Sequence, residues 1–392
     1  TTEIYTLSLH DALPICNTLL KAIADTGGHP ATLEGLCKWA AVSSDAALLH
    51  ASGNYNSDEI MTQVRTWREG RSVPNFKVLS AVVRADAVDV GKLLDDEKSF
   101  SDLIAEGVVF SRDGRPCVSN FSLLKFRDKH KGIPEGCVPE PFVIKKSEFG
   151  DLLEKLVSQD QIPPEQMAAK CISEMLDPSK IWKSGEQLET FISWHPVLRA
   201  LCCTPDKKKE RSGKKEGSWV PLNTLFGSAM VPSSYQGYQV FVPKHLKIIE
   251  CPDSTFKTFW KDTTQTQDKT ELLEGVLIRC CHGNPGFETA LILKVRIPGK
   301  KKKGRIIVTI EARQSELFST TKLDKDTVDS KKTKADEQVR ETGLTNVLVV
   351  IALRNASVTH GQLSENVMVV QEPQYLKHLG PTMATRFRLP LD

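Results

Sequence analysis

The run "IVTIEARQS", residues 307–315, is apolar until it closes on Glu311 and Arg313. In an extended chain Ile307, Thr309 and Glu311 share one face, and Val308, Ile310 and Ala312 the other. Packing alone gives a buried strand no reason to end on a carboxylate and a guanidinium two residues apart. A second carboxylate, Glu288, opens the run "ETALILKVRI" (288–297), and "PGKKKKG" joins the two runs as a lysine-rich hairpin. An antiparallel hairpin centred near residue 301 places Glu288 near residue 313, so the two acidic groups meet at one strand end. Paired carboxylates repel, and a divalent cation such as Mg2+ or a cation such as Arg313 resolves the repulsion. An Arg–Glu surface network at a sheet end accounts for the same spacing and stands as the competing account.

The elements that must hold these residues are legible around them. Beyond residue 237 β-type runs dominate: 238–242, 246–250, 275–281, 288–297, 304–312, 346–354 and 366–371. A helix fits between about 326 and 342. Strands flanking a helix, one of them wholly apolar, predict an α/β sandwich. Before them, helices are expected over 147–159, 163–176 and 184–202, the last strained or ended near Pro196. Residues 131–145, rich in Gly and Pro, suit a linker. Further back, helices are expected from about Pro30 to Trp39 and over 57–70. The stretch 98–130 predicts helix, hairpin and helix, with Asp113-Gly114 as the turn. That order suits a winged helix, although Asp102 and Glu106 make its first helix acidic and favour packing over DNA reading.

Composition narrows the class. With 40% apolar and 26% charged residues the chain is neither disordered nor fibrous. No apolar run reaches about 18 residues, so no transmembrane helix is expected. The ten cysteines are scattered without zinc-ligand spacing, which suits reduced thiols in cytosol or nucleus, that of a host cell included. The net charge of +3 conceals an asymmetry: residues 181–392 hold 32 basic and 23 acidic side chains, and residues 1–180 hold 20 and 26. A basic half points to a polyanion partner, DNA being the first candidate and a protein partner the alternative. Lysine runs at 207–209, 214–215, Lys300, Lys301, Lys302 and Lys303, and 331–334 are solvated loops, phosphate contacts or nuclear-localisation segments.

The order of several short motifs resembles a known family. "GEQLETFISWHPVLRAL", "PLNTLFGSAMVPSS", "NPGFE", "IVTIEARQS" and "NVLVVIAL", across 181–392, resemble the restriction-endonuclease-like domain of Crinkler and retrotransposon-hot-spot proteins, within the PD-(D/E)-x-K nuclease superfamily. The resemblance implies a catalytic helix carboxylate at Glu189, with Glu186 the less favoured choice. It implies Mg2+ ligands at Glu288 and Glu311, with Arg313 at the position of the motif lysine. Two departures stand out. Glu288 replaces an Asp, adding one methylene, and Arg313 replaces a Lys, whose ammonium can shift its pKa where a guanidinium cannot. Phosphodiester hydrolysis of DNA is the implied activity, and a non-catalytic binding module of the same fold is the alternative.

"DTGGHPATLE" similarly resembles the late motif of the P-loop ATPase domain that precedes the nuclease in such proteins. Gly27, Gly28, His29 and Pro30 would be remnants of a nucleotide site, with Ala31 where the family commonly carries Arg. G-x-x-x-x-G-K-[ST] is absent, so ATP is expected only if a missing N-terminal part is supplied. The first fifteen residues resemble a translated sequencing adapter, and the natural chain is expected to begin, truncated, near Cys16. The expected organisation is thus an artefact at 1–15, a truncated ATPase module with a winged-helix-like end at 16–145, a helical linker at 146–180 and the nuclease-like domain at 181–392.

Overall fold

The computed structural model describes residues 73–130, 142–176, 185–203, 217–226, 235–243, 246–263, 269–314, 324–353, 364–370 and 382, apart from 85–87, 90, 94–96, 113 and 301–302. The expected helices at 30–39 and 57–70, Gly27 to Pro30, and the lysine runs at 207–209 and 214–215 lie outside the described residues.

The first described elements are helices α1 (Phe76–Arg84) and α2 (Phe100–Ala105), strands β1 (Phe110–Arg112) and β2 (Arg115–Cys117), and helix α3 (Asn120–His130). Ser99 caps α2 reciprocally with Asp102, as a capping box does. Gly114 takes φ 71° in the expected β1–β2 turn. A 3-10 turn (Lys146–Asp151) leads into α4 (Leu152–Asp160), and α5 (Pro164–Leu176) opens on its proline. These are more than a connector. Leu152 and Leu156 of α4, and Met167, Cys171 and Ile172 of α5, are buried among side chains of the sheet and its helices.

Helix α6 (Gly185–Cys203) runs straight through Pro196 instead of ending there. Proline removes one backbone hydrogen bond, but buried Trp194, Val197, Leu198 and Leu201 anchor both sides of it in the core. Strand β3 (Gly217–Pro221), directly after a lysine-rich stretch, and the short helix α7 (Leu222–Leu225) follow. Then come β4 (Gln239–Pro243), β5 (Lys247–Glu250), α8 (Phe256–Asp262), α9 (Lys269–Leu272), β6 (Val276–Arg279), β7 (Thr289–Arg296) and β8 (Gly304–Gln314). Helix α10 (Lys325–Val339), β9 (Thr345–Leu353) and β10 (Val367–Val370) complete the order.

Strands β3 to β10 form one mixed sheet of eight strands, so the fold is mixed α/β. Its spine runs β10-β9-β8-β7-β4-β3. The sheet forks at β7: β6, carrying β5, pairs the first half of β7 from Thr289, and β4 pairs the last residues through Arg296. β8, β9 and β10 are mutually parallel, and α10 is the crossover between β8 and β9.

Alternation along the strands feeds two cores. Leu291, Leu293, Val308, Ile310, Val347 and Val349 pack with α1, α3, α5 and α6. Ala290, Ile292, Ile307, Leu348 and Val350 pack with α4, α8 and α10. Covering both faces is what lets β9 be apolar at every residue from Val347 to Leu353.

Candidate active site

The register answers where Glu288 and Glu311 stand. Thr289 pairs with Ile310 and Val295 with Gly304, so the turn is centred between Gly299 and Lys300. Glu288 is therefore opposite Glu311, two residues short of the expected partner at 313. The Glu288 N–H donates to the Ile310 carbonyl at 3.0 Å, and the Ala312 N–H donates to Glu288 Oε2 at 2.7 Å. By alternation both carboxylates belong to the face that packs against α10.

Glu311 is 2% exposed. Lys331 of α10 reaches it, with Nζ 2.6 Å from Oε1. The buried face of α10 consists of Val328, Ala335 and Val339. Lys331, three residues after Val328 and four before Ala335, falls on that same stripe, in the turn between two apolar anchors. Lys332 beside it pairs with Asp336, which also accepts from Asn346 Nδ2 at 2.9 Å. Asn346 in turn accepts from buried Thr309 at 2.9 Å, which ties the helix to β8 and β9 next to the acidic pair. The capping carboxylate of Asp324 accepts from the Thr327 N–H at 2.8 Å and fixes where α10 begins.

The loop before Glu288 is held as firmly. Asn284 accepts from the Phe256 N–H at 2.9 Å and donates to the Phe287 carbonyl at 2.7 Å. Gly286 has φ 91°, and a Cβ there would stand 2.5 Å from the Ala335 backbone nitrogen. Only glycine lets this loop lie against the α10 backbone one turn beyond Lys331.

Glu189 arrives from the opposite layer. It lies on α6, and the hydroxyl of Ser193 one turn later donates to the Glu189 carbonyl at 2.7 Å and lies 2.6 Å from the Thr289 hydroxyl. Arg279 of β6 adds a clamp, donating to Thr190 at 2.8 Å and to Glu250 at 3.1 Å. These contacts bring the Glu189 turn to the start of β7. Glu189 Oε2 is 3.4 Å from Nδ1 of His282, an exposed residue of the loop after β6.

Burial, first, and then the charge of Glu311 push the Glu288 carboxyl well above the ordinary glutamate range. The Ala312 N–H opposes that rise, and the charge of Glu189 and a hydrogen bond shared with Glu311 add to it. Three carboxylates from α6, the start of β7 and the end of β8 thus act on one another at one sheet end.

The other expected residues lie elsewhere or have side chains outside the described residues. Arg313 pairs in register with Ala352 of β9, and its side chain lies outside the described residues, as does that of Glu186. Lys303 is exposed at the hairpin, seven residues along β8 from Ile310, about 24 Å at ~3.4 Å per residue, and exposed Lys300 lies beyond it in the turn. The described lysines of the hairpin, Lys300 and Lys303, therefore stand away from the acidic cluster; Lys301 and Lys302 lie outside the described residues. Lys331 and His282 are the residues that the sequence did not single out for the cluster. The spacing of Lys331 between Val328 and Ala335 was the available signal, hidden by its place in a lysine run.

Among the described residues no group of three or more His, Cys, Asp or Glu side chains is arranged to hold a metal ion. The donor chemistry of the Glu288–Glu311 pair still fits a hard cation. Mg2+ is commonly held by one or two carboxylates, keeping several waters and taking phosphate oxygens as further ligands. No helix of the described residues is long and apolar enough to cross a membrane. Comparison with protein-family models, with curated proteins and with solved structures finds no match to this chain.

Proposed function

We propose that the sheet end carrying Glu189, Glu288 and Glu311 is the hydrolytic site of a metal-dependent nuclease domain acting on DNA. The observation that carries the proposal is the register-paired Glu288–Glu311 couple, with Lys331 on one carboxylate and Glu189 within electrostatic reach of the other. Under this reading the domain is restriction-endonuclease-like and belongs with Crinkler and retrotransposon-hot-spot proteins. The α2–β1–β2–α3 unit would be the winged-helix-like end of a preceding ATPase module.

Glu288 and Glu311 would hold Mg2+, which when bound lowers the pKa of a coordinated water and draws charge from a phosphate oxygen. Glu311 is kept in place for that role by Lys331, and Glu288 by the Ala312 N–H. The Lys331 ammonium carries the positive charge that the family places two residues after the strand glutamate, and it leaves Arg313 to orient phosphate, as a guanidinium does well. Glu189, which lies beside His282, would accept a proton from a water under this reading.

A second reading, a non-catalytic nucleic-acid- or protein-binding module of the same fold, is favoured by one feature. Lys331 already neutralises Glu311, the charge that a metal would need.

Incubation with circular and linear DNA in Mg2+ or Mn2+ separates the two. Cleavage that requires the metal and disappears in Glu311→Gln supports the nuclease. No cleavage by the unaltered protein or by Arg313→Lys combined with Glu288→Asp, with nucleic-acid binding retained, leaves the binding module.

A further inference from the structure

Away from the acidic cluster, the sheet has a face that the helices of the described residues do not bury. Along β3 and β4 the residues buried against α6 and its neighbours are Val220, Val240 and Val242. The alternate residues Trp219 and Phe241 face the other way and are only half-buried. None of the side chains in the core formed with α4, α8 and α10 comes from β3 or β4. Trp219 and Phe241 are direct cross-strand partners, their rings 5.5 Å apart and tilted by 56°.

The hairpin end of β7 and β8 adds cations to the same face. Arg296 lies over the Trp219 ring with its guanidinium carbon 3.9 Å from the centroid, and Lys303 Nζ is 5.4 Å from that centroid. Lys294 and Arg305 are register partners on the same alternation and pair with Glu274 at 3.5 and 3.0 Å. Arg305 also reaches Glu271, at 3.8 Å, so among the described residues four cations and two carboxylates share this surface.

We infer that this open sheet face, Trp219 and Phe241 with Arg296, Lys303, Lys294 and Arg305, is a docking surface for single-stranded nucleic acid. Flat aromatic rings beside a cationic track match the two requirements of that ligand. Bases stack on the rings and on the guanidinium plane, while phosphates follow the positive charge. An acidic protein segment would use the cations but has no need of the paired rings. The inference needs nucleic acid as the partner but no cleavage, and it lies about 20 Å along the strands from the acidic cluster.

The test is fluorescence anisotropy of a labelled oligothymidylate with the full chain, with and without unlabelled duplex DNA and polyglutamate as competitors. The expected result is binding whose log affinity falls against log salt with a slope of about −2 to −3, for three or four phosphates at roughly −0.7 each. Trp219→Ala is expected to weaken it about tenfold or more, Trp219→Phe to restore most of it, and Arg296→Gln with Lys303→Glu to flatten the slope. Binding is read without Mg2+, where no cleavage is required, so loss of cleavage alone does not bear on this surface. The inference is overturned if duplex or polyglutamate competes as well as the single strand. It is equally overturned if the Arg296/Lys303 variant, folded by circular dichroism, binds like the unaltered protein.

Discussion

Lys331 Nζ and Glu311 Oε1 lie 2.6 Å apart, joining the crossover helix to the carboxylate near the end of β8. Glu311 is 2% exposed and the Lys331 side chain 21%, so the pair is shielded on one side and open on the other. Removing the ammonium leaves a buried carboxylate next to Glu288, which is already short of compensation.

Lys331→Met is therefore expected to cost stability. The loss should be about 2–3 kcal/mol, below the ~3–5 kcal/mol of a fully buried pair because the lysine retains contact with water. Urea unfolding measures it. Adding Glu311→Gln should recover part of the loss, since the second change removes the stranded charge. A double variant less stable than Lys331→Met would show that the pair does not govern this corner.

Stability should also depend on pH through Glu288. The folded protein holds its proton more tightly than the unfolded chain, so above the ordinary value of 4.5 the folded state binds more protons. Stability from this group is then greatest at low pH and falls as pH rises through 4.5 toward the raised value. Glu288→Gln removes the dependence while the amide oxygen still accepts from Ala312. The variant should have the higher urea midpoint at about pH 7.5 and no advantage at about pH 3.5, where Glu288 is mostly protonated in the folded and the unfolded chain alike.

Gly286 and Gly283 offer a matched comparison. Both have positive φ, 91° and 84°, but a Cβ on Gly286 meets the Ala335 backbone whereas one on Gly283 meets open space. Gly283→Ala should cost only the conformational strain, about 1 kcal/mol at the low end for such positions. Gly286→Ala should cost more, roughly 3 kcal/mol, because the loop must also lift from α10. Equal losses by thermal or urea unfolding would refute the close approach.

If the domain cleaves DNA, its cation should be found on the helix. Lys331→Met is expected to lower the metal-dependent rate by about 10–100-fold, as loss of a group orienting a metal-binding carboxylate does. Lys331→Arg should retain part of the rate. Arg313→Lys should raise it only modestly if Lys331 already supplies the charge, whereas a large rise would return the role to the strand. Single-turnover cleavage of a labelled duplex in Mn2+ distinguishes these outcomes.

By itself the sequence determined a pair of strands, expected over 288–297 and 304–312 and found over 289–296 and 304–314, and with them the approach of Glu288 to Glu311, because strand alternation and hairpin connection are local properties. It erred by two residues in the partner, since a lysine-rich turn does not announce its own centre. It also marked α10, yet it could not say which of four neighbouring residues in the run 331–334 would turn inward. Val328, Ala335 and Val339 give that helix a sparse apolar stripe, and a lysine between them becomes a site residue only when β8 ends beneath it. Strand β3 was obscured in the same way by the charged stretch before it, and the continuity of α6 by Pro196. The fork at β7, the open face around Trp219 and the distance of the lysine hairpin from the acidic pair were decided by tertiary structure alone. Each depends on which distant strand claims an edge and which helix covers a face, a competition among nonlocal burials that no single segment's periodicity records.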